Sequence, residues 1–179
     1  MLKYLLSILV LVIAVITGLG DANASDQSGV RMKISQELVK NGDVALKDGD
    51  AFNALHIFES ALVSDPKNVS AYIGLGRAHA ALDRKKTAMD YYALALDIDP
   101  NSTYALELQS LGFLEEGKIT AAERNLTRLK RLCAKGCEAL EHVDHALGET
   151  LKKTQEAVLN SSEQQAQADM KDQVQQAQN

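Results

Sequence analysis

The stretch LDIDPNS, Leu96 to Ser102, holds one of only two prolines in a chain of 179 residues; the other lies in LVSDPKN, Leu62 to Asn68. Each proline follows an Asp and precedes a polar pair, and Pro100 stands 34 residues after Pro66. A fixed period of that size marks a repeat architecture, in which one supersecondary unit buries its apolar face on the next. Keeping the offset brings other positions into register. Ala54, Ala88 and Ala122 align, as do Phe58, Tyr92 and Leu126, then Ala61, Ala95 and Leu129, and Gly49, Asp83 and Gly117. The residue before a proline is pushed out of the α region, so each proline ends a helix, and Asn68 and Asn101 or Ser102 are natural caps for the helix that follows.

Composition agrees with helices. There is no Trp, aromatics make up 4% of the chain, and β-branched runs of strand length are absent after the first twenty residues. Ala, Gly, Ser and Leu must therefore do the packing, which suits closely approaching helices. Gly42 and Gly76 fall in mid-helix, where Gly costs about 1 kcal/mol relative to Ala, so a close neighbour must offset it. The aligned alanines are the small partners expected there, with Phe58 and Tyr92 filling the space between successive hairpins.

The second unit reads Tyr72-x2-Leu75-Gly76-x2-His79, then Ala88-x3-Tyr92, Ala95 and Pro100. This resembles the tetratricopeptide repeat, with its aromatic, Leu-Gly and Tyr on one helix and Ala, aromatic and terminal Pro on the next. The first unit keeps the phase through Leu38, Gly42, Ala45, Ala54, Phe58, Ala61 and Pro66, with Asn41 in place of Leu. The third is degenerate: Leu106, Phe113, Gly117, Ala122 and Leu126 fit, Gln109 and Ser110 replace Leu-Gly, and Ala134 replaces proline. The resemblance implies an all-α fold, a right-handed superhelical stack of three hairpins over 35–68, 69–102 and 103–136. Beyond it, Leu140, Val143, Leu147, Leu151 and Val158 continue at helical spacing and predict a capping helix over 137–159. Residues 160–179, rich in Gln, cannot bury enough apolar surface to offset chain entropy and read as a disordered tail.

Residues 1–24 have the layout of a signal peptide: Lys3, an apolar run from Leu5 to about Leu19, then Ala22-Asn23-Ala24 before Ser25. Cleavage after Ala24 is expected, with a retained inner-membrane anchor as the alternative; 25–34 is a spacer. No Cys follows the apolar run, which excludes a bacterial lipoprotein anchor. Losing Lys3 and Asp21 leaves 18 basic and 23 acidic residues, so the net charge stays at −5. A mildly acidic exported chain does not suit nucleic acid. The bacterial periplasm is the expected site, and a membrane is involved only if the N-terminal segment is retained.

Cys133 and Cys137 are the only cysteines, and an even count in an exported chain favours one disulfide, with Gly136 letting the chain leave the helix between them. A zinc site using His142 and His145 as well, or a redox-active pair, is the sharper alternative, but the spacings match no common finger or thioredoxin-like motif. Arg124, Arg128, Arg131 and Lys135 form a basic stripe at offsets of 4, 3 and 4. It suits an acidic partner or lipid head group, or simply a solvated face paired with Glu138 and Glu141. His79 takes the repeat's Tyr position as a core or groove residue, and His56 reads as surface.

No catalytic triad, carboxylate pair or phosphate-binding loop occurs at a meaningful spacing, so neither an enzyme nor a cofactor is expected. The resemblance implies a binding scaffold whose first helices line a concave groove. By phase that groove presents Val39, Asp43, Ile73, Arg77, Tyr104, Glu107 and Leu111. The carboxylate clamp of one variant of the family is missing, since Val39, Asp43, Gly74, Tyr104 and Leu108 stand at its positions. The expected function is an adaptor for another envelope protein; the alternatives are a self-assembling module, hence a homo-oligomer, and a redox or metal protein using the Cys/His cluster.

Overall fold

The computed structural model describes residues 27–177, and the leader with Ala22, Ala24 and Ser25 lies outside them. The described residues form seven helices and no strand: α1 over 27–47, α2 Ala51–Ser64, α3 Val69–Ala81, α4 Lys85–Ile98, α5 Thr103–Glu115, α6 Ile119–Leu132 and α7 Glu138–Ala177. They fall into two compact units. The first, through Pro100, holds the hairpins α1–α2 and α3–α4; the second, from Asn101, holds the hairpin α5–α6 and the long α7. Among the described residues no helix is long and apolar enough to cross a membrane.

The repeat positions are the core. Ala54, Phe58, Ala61, Ala88, Tyr92, Ala95, Ala122, Leu126 and Leu129 are all buried. The aligned set Gly49, Asp83 and Gly117 closes the turn inside each hairpin, with φ of +80°, +56° and +72°. Left-handed backbone suits Gly, and Asp tolerates it better than most residues, which explains the type of residue that recurs there. The prolines act as expected: Asp65 and Asp99 before them are extended and end α2 and α4. Asn68 and Ser102 then cap α3 and α5 by accepting from the backbone N–H of Ala71 and Ala105.

What presses on the mid-helix glycines is ring rather than backbone. Phe58 of α2 lies between Gly42 of α1 and Gly74 of α3; a Cβ at Gly42 would sit 2.6 Å from Phe58 Cε1, and one at Gly74 closer still. Tyr92 of α4 covers Gly76 in the same way. Gly74 has no counterpart in the other repeats, so the period alone does not single it out.

A buried polar relay crosses the first unit. Ser35, fully buried on α1, donates to the carbonyl of Ala61 at 2.8 Å and accepts from Asn68 Nδ2 at 2.7 Å, so it ties α1 both to α2 and to the residue that caps α3. Tyr72 donates its hydroxyl to the carbonyl of Pro66 at 3.3 Å, holding the turn between hairpins.

The third hairpin solves the same packing with different chemistry. Ser110, at the glycine position, is buried and donates to the carbonyl of Leu106, and Asn125, also buried, donates to Gln109 Oε1 at 2.9 Å. Leu126 stands where the rings stand. At the turn after α6, Gly136 has φ +88°, and Cys133 and Cys137 sit at disulfide distance with Cα atoms 5.6 Å apart.

Two boundaries differ from the sequence reading. The segment 27–34, read as spacer, is already helical, and 160–177, read as a disordered tail, continues α7. Every side chain described from 151 onward is exposed, so no core holds this stretch. Its Ala, Gln, Glu and Lys lose little on entering a helix, and a helix satisfies its own backbone without burying anything. Entropy argues against a packed fold there, not against local helix.

Candidate partner-binding site

The residues picked out for a groove divide between the two units. In the first, Val39 and Asp43 lie on α1 and Arg77 on α3, each partly exposed. Arg77 Nη1 donates to Asp43 Oδ1 across the two helices, 34 residues apart, with side chains 29% and 40% exposed. The pair is thus formed yet reachable. An open cleft of about 370 Å³ on the same unit is lined by Met32, Gln36, Val39 and Lys40 of α1 and by Asp65, Asn68 and Ser70. Ile73 is not part of this surface: it is 5% exposed. From Ile73 to Gly76 four consecutive residues are buried, because α3 is packed by α2 and α4 at once and keeps only a narrow open strip, on which Arg77 falls.

In the second unit Tyr104 is 43% exposed at the start of α5. Glu107 is only 12% exposed in its side chain, because α7 lies on that face: Glu107 Oε1 is 2.7 Å from His142 Nδ1. Here α7 takes the place of a fourth first helix. It meets α5 through residues 35 apart, much as α3 meets α1 through Asp43 and Arg77. Glu107 therefore holds the cap rather than a partner. Leu111, half-buried, lines a cleft of about 770 Å³ with Leu114 and Glu115 of α5 and with His145, Ala146, Glu149, Thr150, Lys153, Thr154 and Ala157 of α7.

The two notable histidines are tuned in opposite directions. The hydrogen bond to Glu107 raises the pKa of His142, with Glu107, Glu138 and Glu141 adding attraction. Burial lowers that of His79, and Arg84 adds to the effect while Glu59 opposes it. His79 stacks on Tyr91 at 5.2 Å with 11° between the rings, and its Nδ1 is buried with no hydrogen-bond partner. Protonating it would strand a charge there. His56 is exposed, 3.5 Å from Glu59.

The four Cys and His residues do not converge. The cysteines face each other, His142 turns to Glu107, and His145 lines the α5–α7 cleft. On the basic stripe Arg124, Arg131 and Lys135 are exposed and Arg128 is half-buried. Glu138 approaches His142, and Lys130, off the stripe, forms an ion pair with Asp144 of α7 at 3.4 Å.

Comparison with known proteins matches residues 39–103 to a tetratricopeptide repeat family model. Superkiller protein 3 of Saccharomyces cerevisiae is 25% identical over 92 residues, 51% of this chain and 6% of that protein. The probable UDP-N-acetylglucosamine–peptide N-acetylglucosaminyltransferase SPINDLY of Arabidopsis thaliana is 28% identical over 109 residues, 58% of this chain and 12% of that protein. The chain thus spans a small fraction of the curated relatives it matches. Among solved structures, the Yersinia enterocolitica type III secretion chaperone SycD in complex with a peptide of the translocator YopD superposes with a TM-score of 0.58 at 20% identity, covering 66% of this chain and 93% of that one. At that identity the likeness concerns the fold alone. With the 34-residue period, the buried repeat positions and the family match in agreement, residues 39–103 of this chain are tetratricopeptide repeats.

Proposed function

We propose that this protein is a non-enzymatic periplasmic adaptor that holds another envelope protein, or an extended segment of it, on the open strip of its first helices. The observation that carries the reading is the part-exposed Asp43–Arg77 pair, with Val39, one helical turn before Asp43, bordering an open cleft: charged, polar and apolar groups on the same helices, the mix that fixes a bound peptide's orientation. The SycD structure, which holds a translocator peptide on the same fold, supports it by analogy. The enzymatic activity named for SPINDLY belongs to a protein of which this chain covers 12%. Export rests on the leader, with Ala22, Ala24 and Ser25 at the cleavage site.

The test is affinity capture from envelope extracts with the native chain, Val39→Asp, Arg77→Glu and Tyr104→Asp, with Asp83→Gly, in a hairpin turn, as the control. The reading expects a protein retained by native and control chains and lost from Val39→Asp and Arg77→Glu. A partner set unchanged by all three site variants removes its support. Mass spectrometry of the N-terminus in the periplasmic fraction tests export, Ser25 being the expected first residue.

A further inference from the structure

Two helices of the second unit present uncovered faces of opposite charge. The exposed Arg124 and Arg131 of α6 and Lys135 of the turn after it have no carboxylate at ion-pair distance among the described residues, and Leu132 beside them is 41% exposed. On α7 packing ends at Leu147, and the helix continues to Ala177 with every described side chain from 151 onward in solvent. That free length is about 40 Å at 1.5 Å per residue. Along it Glu156, Leu159, Glu163, Ala166 and Met170 follow at offsets of 3, 4, 3 and 4. This is the 3.5-residue average of a helix-pairing seam, and α6 has the same spacing in its basic stripe. Glu156 and Glu163 are seven residues apart, as are Arg124 and Arg131, so both pairs repeat at about 10.5 Å. Leu159 and Met170, 54% and 66% exposed, supply the apolar part.

We propose that the distal half of α7 lies along α6 of a second copy of this chain, with Glu156 and Glu163 facing Arg124 and Arg131 and Leu159 packed between these two ion pairs. The contact cannot close within one molecule. The fourteen residues of α6 cover about 21 Å, and α7 returns antiparallel from the turn at 133–137, so it passes the start of α6 near residue 152 and carries Glu156 and Glu163 beyond it. An anionic membrane fits the stripe less well: Glu123, Glu138 and Glu141 flank it on a chain of net charge −5, and a charged sheet meets all of them where a single helix meets only the stripe. Two chains can make the contact reciprocally, so a dimer is the smallest closed form. The inference does not depend on the groove reading, since it uses neither Val39, Arg77 nor Tyr104.

The test is the mass in solution of the full chain, in mild non-ionic detergent, across a hundredfold range of concentration and at low and high salt. A dimer is expected, with its dissociation constant rising about tenfold or more once salt shortens the Debye length to a few ångströms. Arg124→Glu/Arg131→Glu and Glu156→Arg/Glu163→Arg are each expected to be monomeric alone, because each then opposes like charges. Mixed in equal amounts, or combined in one chain, they are expected to associate again, and that rescue separates lost contact from lost folding. A native chain that stays monomeric at every concentration overturns the proposal. So does a dimer that both reversals leave intact, or a pair of reversals that fail to restore each other while helical circular dichroism is native.

Discussion

The first unit and the second repeat one topology with two kinds of interior. In the first, rings are pressed onto glycines, Phe58 between Gly42 and Gly74 and Tyr92 on Gly76, with the Ser35 relay joining three helices. In the second, the ring becomes Leu126, the glycine becomes Ser110, and the hairpin is held by Asn125 to Gln109, by Glu107 to His142 and by the cysteine turn. Ring-on-glycine contact is all shape, so it allows no added atom. Polar pairs and a covalent link leave more room for side-chain change and bring dependence on pH and redox state.

The sharpest way to break the contrast is to remove a ring. Phe58→Ala is expected to destabilise the first unit by about 3–5 kcal/mol, the range for a buried Phe, and Leu126→Ala the second by less, within the range of about 2–5 kcal/mol for a buried Leu. Chemical denaturation of each variant measures both, and equal losses would erase the distinction. Next is Gly74→Ala. Its methyl group collides with the enclosed Phe58 ring, so a loss of about 2 kcal/mol is expected although Ala is the better helix former. A stabilised variant would mean that the ring moves freely.

Cys133→Ser, or reduction, is expected to lower stability by about 2 kcal/mol on the chain-entropy estimate for so short a loop, with hydrogen exchange rising at the turn and the start of α7 and unchanged in α1–α4. Exchange that rises equally in both units would contradict the assignment.

The histidines sharpen the comparison through pH. His142 has a raised folded pKa, so its contribution is present below the unfolded value near 6.5 and is lost as pH rises through the folded one; α7 loosens toward alkaline pH. His79 has a lowered folded pKa, so its contribution is present above 6.5 and is lost as pH falls through the folded one; the α3–α4 hairpin loosens toward acid. Exchange of amides in α3–α4 and at the start of α7, corrected for intrinsic rates, is expected to show the opposite slopes. His79→Phe and His142→Ala are each expected to flatten one slope only.

The fold was legible because a period is a long signal. Nine aligned core positions, three turn positions and two prolines all point to the same hairpins, and burial or backbone angle agrees at each. The candidate surface was legible only in part. Phase placed Val39, Asp43, Arg77 and Tyr104 where a partner can reach them, but it carried Ile73 into the core and Glu107 under α7. Phase assigns a residue to a side of its helix; how many neighbours crowd that side depends on which helices pack there. The fate of 160–177 escaped for a related reason, since a composition that cannot build a core still permits a helix that needs none.

By itself the amino-acid order determined the helical class, the 34-residue hairpin period, the helix ends at Pro66 and Pro100, the cap at Asn68 and a second cap at Asn101 or Ser102, because these depend on local backbone sterics and on a pattern repeated along the chain. Only the tertiary structure decided that Gly74 shares the Phe58 ring with Gly42, that Ser35 joins α1 to α2 through the Ala61 carbonyl and to the α3 cap through Asn68, and that His142 takes Glu107 away from solvent. Those partners lie tens of residues apart, and their pairing is set by the space left once neighbouring helices have closed on it.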